Sequence, residues 1–186
     1  MKWTQKNASY HSQCPLIVSL FLTLEAMSYF IDPPSPKNNY HHTHALLLLE
    51  SYQRLLNKPL LDVNSDHLAE QLFHADFALL SHDTSADPVF NYANQTAMTL
   101  FELNWNELIA MPSRYSAEPV NREERERLLA QVTQQGYIKD YAGVRIAGSG
   151  RRFLIEQAIV WNVIDNRGHF HGQAACFKHW QFLPET

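Results

Sequence analysis

The side chains in this chain most able to do chemistry are its 10 histidines. His41, His42 and His44 cluster beside a proline-rich stretch, and His169 and His171 share one face if their segment is a strand. A closed metal site takes four ligands, and no cysteine or carboxylate stands at suitable spacing beside either group. They read as exposed histidines near loops, and no metal is expected. The two cysteines, Cys14 and Cys176, are far apart and form no zinc or redox spacing. Cys176 lies in the apolar run 174–177 and reads as a small buried hydrophobe. Hydrolase elbow, P-loop and dinucleotide fingerprint are all missing. Gly148-Ser149-Gly150 lacks a third glycine and a strand-to-helix context, so it reads as a hairpin turn.

A second set of residues suits binding rather than catalysis. Along 152–164, Phe153, Ile155, Ile159 and Trp161 alternate onto one face, and Gln157 falls among them. An amide with apolar neighbours must find a partner or a ligand. Arg145, one strand earlier, and Arg114 can each present a bidentate fork to a carboxylate or phosphate. With Phe90, Asn94, Trp105 and Tyr141 these form the candidate ligand-binding set: Phe90, Asn94, Trp105, Arg114, Tyr141, Arg145, Gln157 and Trp161. Each also has a structural reading, such as Arg114 paired with Glu118 or Trp161 in the core. An aromatic-lined cavity with a few convergent polar groups describes a small-molecule site. Asp140 and Tyr141 would suit an isomerase-like cavity enzyme, but a lone carboxylate is a weak basis for acid–base catalysis. No catalytic residue is assigned, and the chain reads as non-enzymatic.

The elements that must position these residues follow from periodicity. Residues 44–57 place Leu48, Tyr52, Leu55 and Leu56 on one stripe, which predicts an amphipathic helix closed by Lys58-Pro59. Asn64 and Ser65 are candidate caps for a second helix over 66–73. Residues 77–80 and 88–93 read as short strands, the first closed by the polar stretch 81–87. Asn94 caps a helix carrying Ala97, Met98 and Phe101, and another short helix spans 105–109. Asn121 and Glu124 resemble a capping box opening a helix that Gly136 ends. Leu128, Leu129 and Val132 form its inner face, and its charges, with Arg122–Glu126 and Glu123–Arg127 pairs, read as a solvated face. Residues 137–147, 152–164 and 169–182 read as three long strands joined by turns at 148–150 and 165–168. Two short strands, then helices, then three long strands give an α+β fold. It is a PAS-like five-stranded antiparallel sheet with short helices over one face and an N-terminal helix.

Composition bounds the partners. The 186 residues are 45% hydrophobic and 18% charged, enough for one ordinary domain with room for an extra segment. The net charge is -4, and the only dense basic stretch, 122–127, is interleaved with Glu123, Glu124 and Glu126. Direct nucleic-acid binding is therefore disfavoured. Residues 16–31 are the most hydrophobic stretch, but Glu25 interrupts them and no cleavage signal follows. They fall short of the roughly 20 apolar residues that span a membrane. A weak membrane-associating helix, or translation starting at Met27 rather than Met1, are the alternatives. Pro33, Pro34 and Pro36 favour an extended linker, so 1–40 reads as extension and linker and 41–186 as the domain. Two isolated cysteines fit a reducing, cytoplasmic compartment.

Several blocks together resemble one family. DPVFNYAN (87–94), LFELNW (100–105), MPSRYSAEP (111–119), the REER…LL run (122–129), YAGVRI (141–146), GRRFLIEQAIVWN (150–162) and GQAACF (172–177) are similar to the MEKHLA domain. It is a PAS-related module found in stand-alone bacterial proteins and in plant homeodomain–leucine zipper regulators. The sequence has neither a basic region nor heptads and resembles the stand-alone kind. The resemblance implies a PAS-like fold and a sensory or interaction role; the element order and the cavity residues make a small molecule, or a second copy of the chain, the expected partner. It supplies no ligand and no reaction. Light-sensing PAS domains carry a reactive cysteine in the helical region, and residues 77–147 hold none, which excludes flavin–thiol photochemistry in that form. Haem-binding ones commonly place a histidine on the helix before the long strands, and residues 121–136 hold none. Non-covalent flavin stays open, and the cofactor is unassigned.

Overall fold

The computed structural model describes residues 32–61, 67–118 and 122–184. The apolar stretch 16–31, Cys14, Met27 and the candidate caps Asn64, Ser65 and Asn121 lie outside the described residues. A short 3-10 turn, Pro36–His41, leads into helix α1 (His42–Leu56). The apolar stripe decides which side of α1 is buried: Leu48, Tyr52 and Leu56 all face inward. Next come α2 (Leu68–Phe73), β1 (Ala78–His82), β2 (Phe90–Ala93), α3 (Gln95–Phe101) and α4 (Trp105–Ile109). A 3-10 turn at Ser113–Ser116 precedes α5 (Arg122–Gln135), and then β3 (Tyr137–Ile146), β4 (Arg152–Ile164), β5 (Phe170–Phe177) and β6 (His179–Phe182).

β1 runs two residues further than its apolar content predicts. Ser81 and His82 pair with β2 on one side and β5 on the other, and both are buried. The sheet order is β2-β1-β5-β4-β3, antiparallel, with β6 also on β4. The expected final strand is interrupted at Lys178, so the sheet has six strands rather than five. Both halves stay in one register on β4, with Ile159 opposite Cys176 and Glu156 opposite His179.

The interruption has a backbone cause. Gln157 on β4 and Asp140 on β3 have φ of 53° and 57°, in the left-handed region that strands avoid. The β3–β4 register shifts between Ile138 and Gly143, as at a bulge. The pairing returns to its first register beyond the shift, but the left-handed residue reverses the in–out alternation of side chains along β4. Phe153 and Ile155 therefore share the front face with Ala158 and Val160, not with Ile159 and Trp161. Trp161 turns to the back of the sheet, where its indole N–H donates to Ser51 Oγ at 3.1 Å and its ring meets Tyr52 edge-on. Helix α1 thus covers the back, while α3 and α5 cover the front.

One buried amide ties a covering helix to the sheet. Asn94 is fully buried, and its Oδ1 accepts from the N–H of Leu79 and of Ala97, both at 3.0 Å. Its Nδ2 donates to the Phe77 carbonyl at 2.7 Å, so one amide caps α3 and ties it to β1. Asn94→Asp keeps the acceptor and loses the donor. Equilibrium urea unfolding should show it less stable by about 2–3 kcal/mol, as for a buried bond broken on one side. A loss within about 0.5 kcal/mol, the scale of an ordinary surface change, would contradict this assignment.

The N-terminal histidines correct the expectation of exposure. His41 is wholly buried and His44 is 8% exposed. His44 Nε2 lies 3.0 Å from Ser81 Oγ, and its ring packs on Tyr92. Burial holds both imidazoles below their usual range, His44 at about 3. The unfolded chain takes up a proton near 6.5 and the folded chain does not, so stability falls as pH drops below about 6.5. For His44 the loss continues down to about 3. Chemical denaturation between pH 7.5 and 5 should show a slope approaching about 1.4 kcal/mol per pH unit for each such histidine. His44→Gln should remove one histidine's share of that slope; an unchanged slope in the variant would refute its origin in His44.

Candidate functional site

The front face of the sheet and α5 enclose a cavity of about 60 Å³. Its walls are mostly apolar: Leu80, Phe90, Phe101, Leu128, Leu129, Ile155, Ala158, Val160 and Phe177. The polar groups on it are few: His82, Ser116, Arg125, Tyr141, Arg145 and Gln173. Tyr141, Gly143 and Arg145 share the inward face of β3. A side chain at Gly143 would run into the Tyr141 hydroxyl and crowd the Arg145 guanidinium. The missing side chain lets those two fold together: Arg145 Nη2 donates to Tyr141 Oη at 3.0 Å and Nη1 to the Val144 carbonyl at 2.9 Å.

Arg125 enters from α5. Its Nη2 donates to Ser113 Oγ at 2.9 Å, within the 3-10 turn. Arg125 and Arg145 are each only 8% exposed, and among the described residues neither forms an ion pair with a carboxylate. Burial, and then the charge of Arg145, push the Arg125 guanidinium down to about 10. His82, on β1, binds the Asp83 carbonyl through Nδ1 at 2.9 Å, and its buried Nε2 has no hydrogen-bond partner. Burial lowers this imidazole as well. Gln173 is held by structure: its Nε2 donates to the Leu129 carbonyl and to Asn162 Oδ1, each at 3.0 Å.

Comparison with known proteins places this geometry. The family model of the MEKHLA domain matches residues 42–182. The chain belongs to the MEKHLA domain family. Homeobox-leucine zipper protein HOX9 of Oryza sativa subsp. japonica is 28% identical over 144 residues, which is 76% of this chain and 17% of that protein. Homeobox-leucine zipper protein ATHB-14 of Arabidopsis thaliana is 33% identical over 125 residues, 64% of this chain and 14% of that protein. The chain thus spans less than a fifth of the length of these curated relatives. Among solved structures, the PAS domain of a protein from Colwellia psychrerythraea superposes with a TM-score of 0.52 at 15% identity, covering 62% of this chain and 92% of that one. An RNA-binding light-oxygen-voltage receptor gives 0.52 at 15% identity, covering 64% of this chain and 35% of that one. The fold is PAS-like.

Of the residues singled out in the sequence, this MEKHLA domain brings Phe90, Tyr141 and Arg145 to the cavity. Asn94 spends its amide on backbone groups, and Trp105 packs between His41 and Tyr92. Arg114 is a surface residue in a bidentate pair with Asp87, both bonds at 2.9 Å, rather than with Glu118. Gln157 is exposed, and Trp161 lies on the back face, both through the phase change in β4. Asp140 is exposed on the edge strand β3, and among the described residues the cavity wall holds no carboxylate. His169 and His171 are exposed as expected, yet Asp165 bonds both, at 2.9 and 3.2 Å, so a carboxylate does accompany them. Among the described residues no group of three such side chains is arranged to hold a metal ion.

Sequence reasoning missed Arg125 and His82. Arg125 falls in the charge run 122–127 that reads as a solvated helix face, and His82 in the polar stretch 81–87. The signal for Arg125 was there: it precedes Leu128, Leu129 and Val132 by three, four and seven positions, the spacing of their own stripe. A flavin ring system does not fit beside these walls, since pockets for molecules of that class start at roughly 300 Å³. A buried charge with no counter-charge is a net cost, and an apolar replacement of similar length removes it. Arg125→Met should raise the stability of the ligand-free protein by about 1–2 kcal/mol in denaturant unfolding. A loss above about 1 kcal/mol would show that Arg125 is compensated.

Proposed function

We propose that this MEKHLA domain is a regulatory, non-enzymatic sensing module that takes a small molecule between the sheet front and α5. One observation carries the reading: an apolar cavity with Tyr141, Arg145, Arg125 and His82 converging on it, in a PAS-like fold. The homology to homeobox-leucine zipper proteins, of which this domain is one part, supports a regulatory rather than a metabolic setting. A reducing, cytoplasmic location belongs to the same reading. It is supported by Cys176, a buried free thiol that burial pushes up to about 12. Among the described residues no helix is long and apolar enough to cross a membrane. The net charge of -4 supports action through a ligand or a protein rather than through direct nucleic-acid contact.

The competing readings have less support. An isomerase would need its general base in the cavity, and Asp140 is outside it. A homodimer built on the back of the sheet would compete with α1, whose Ser51 and Tyr52 already cover Trp161. The test is a thermal-shift and native mass-spectrometry screen of freshly purified protein against small neutral, cationic and anionic metabolites. A true ligand at about 100 times its Kd stabilises by about 2.7 kcal/mol, which raises Tm by roughly 5–10 °C in a domain of this size. A protein that captures nothing and responds to no metabolite overturns the proposal.

A further inference from the structure

Building on the small-molecule reading, we infer that the cavity is a site for a small oxyanion that also carries a hydroxyl, such as a short hydroxycarboxylate or hydrogen phosphate. The size, the charge and the hydrogen-bonding pattern lead there independently. A water needs at least about 10–15 Å³ of such space, so about 60 Å³ accommodates roughly four or five non-hydrogen atoms. Glycolate and phosphate are of that size; a nucleotide or a flavin is not.

The charge follows from Arg125 and Arg145. Each is more than nine-tenths buried, and among the described residues each has only neutral partners: Ser113 Oγ for one, Tyr141 Oη and the Val144 carbonyl for the other. They come from different elements, α5 and β3, onto one cavity, so the fold spends desolvation on two like charges at the same place. Glu126 and Asp87 act on Arg125 only at a distance, and among the described residues no carboxylate pairs with either guanidinium; a shared anion is that missing ion-pair partner, and guanidinium forks suit oxyanion geometry.

The hydroxyl follows from His82. The Asp83 carbonyl can only accept, so Nδ1 carries the proton and Nε2 presents a lone pair. That lone pair is buried without a partner, and His82 lines the same cavity as the two arginines. An O–H on the occupant satisfies it. Tyr141 adds a donor, because its oxygen accepts from Arg145 and its own proton remains to give.

The experiment is isothermal titration calorimetry of the full chain in a chloride buffer, with glycolate, inorganic phosphate, acetate and neutral ethylene glycol as separate titrants. Glycolate or phosphate should bind with one-to-one stoichiometry, and which of the two is tighter separates a carboxylate ligand from a phosphate one. Acetate, lacking the hydroxyl, should bind about 10-fold more weakly than glycolate, and His82→Phe should erase that difference. Arg125→Met and Arg145→Met should each weaken the oxyanion by about 100-fold, as expected for a charge-assisted bond. Arg145→Lys, which keeps the charge and loses the fork, should fall in between and serves where a methionine variant does not fold. Oxyanion binding that is absent below about 10 mM, or unchanged in the arginine variants, overturns the inference. If neutral or cationic metabolites bind in the screen while these anions do not, the sensing module stands and the anion site falls. If nothing binds at all, both fall.

Discussion

The layering of this domain depends on one backbone irregularity, the left-handed residues Asp140 and Gln157 on adjacent strands. A regular β4 would carry Phe153, Ile155, Gln157, Ile159 and Trp161 on one face, leaving an amide and an indole in the cavity. The left-handed residue lets the strand serve two different layers. Its first half gives Phe153 and Ile155 to the front core, and its second half gives Trp161 and Val163 to the back. The left-handed conformation costs a non-glycine residue roughly 1–2 kcal/mol. Burial of Trp161 under α1, with its N–H satisfied by Ser51, offsets that cost.

The front layer shows the opposite economy. An ordinary core would fill the space above β3 and β4 with apolar side chains at native packing density. Here α5 contributes Leu128, Leu129 and Val132 and then, on the same stripe, Arg125. Its guanidinium reaches Ser113, and the 3-10 turn carrying that serine is itself fastened by Ser116 Oγ to the Ser113 carbonyl and by the Ser113 N–H to Pro88. Arg125 is therefore positioned by a rigid turn rather than left to find solvent. Polar groups held in place at a cost to stability are the usual signature of a binding site rather than of a core.

How much of this was legible in the sequence depends on the kind of signal. The element order and most boundaries came from periodicity and caps, because Asn94, Gly136 and the turns at 148–150 and 165–168 act locally. The phase of β4 was not legible, since nothing about Gln157 itself announces a positive φ; its neighbours are the shifted β3 register on one side and the break between β5 and β6 on the other. Burial of His41 and His44 was hidden for a related reason. Histidines beside prolines look like loop residues until α1 is docked on the sheet. Arg125 differs, because its spacing from Leu128 and Val132 put it on the inner face, and its charge alone argued otherwise.

Ser81 and His82, neighbours on β1, serve opposite faces of the sheet: one meets His44 of α1, and the other lines the cavity. Ser81 Oγ donates to Asn91 Oδ1 at 2.6 Å, so its oxygen is left to accept, and His44 must carry its proton on Nε2. One residue further along the strand, His82 carries its proton on Nδ1 because the Asp83 carbonyl demands it. Two buried imidazoles at this strand thus sit in opposite tautomers on opposite faces, one on α1 and one on the cavity. Burial disfavours the charged form of both rings. Acid therefore acts on both layers through the same strand, and an occupant that gives His82 a hydroxyl partner satisfies the front imidazole without disturbing the bond that anchors α1 at the back.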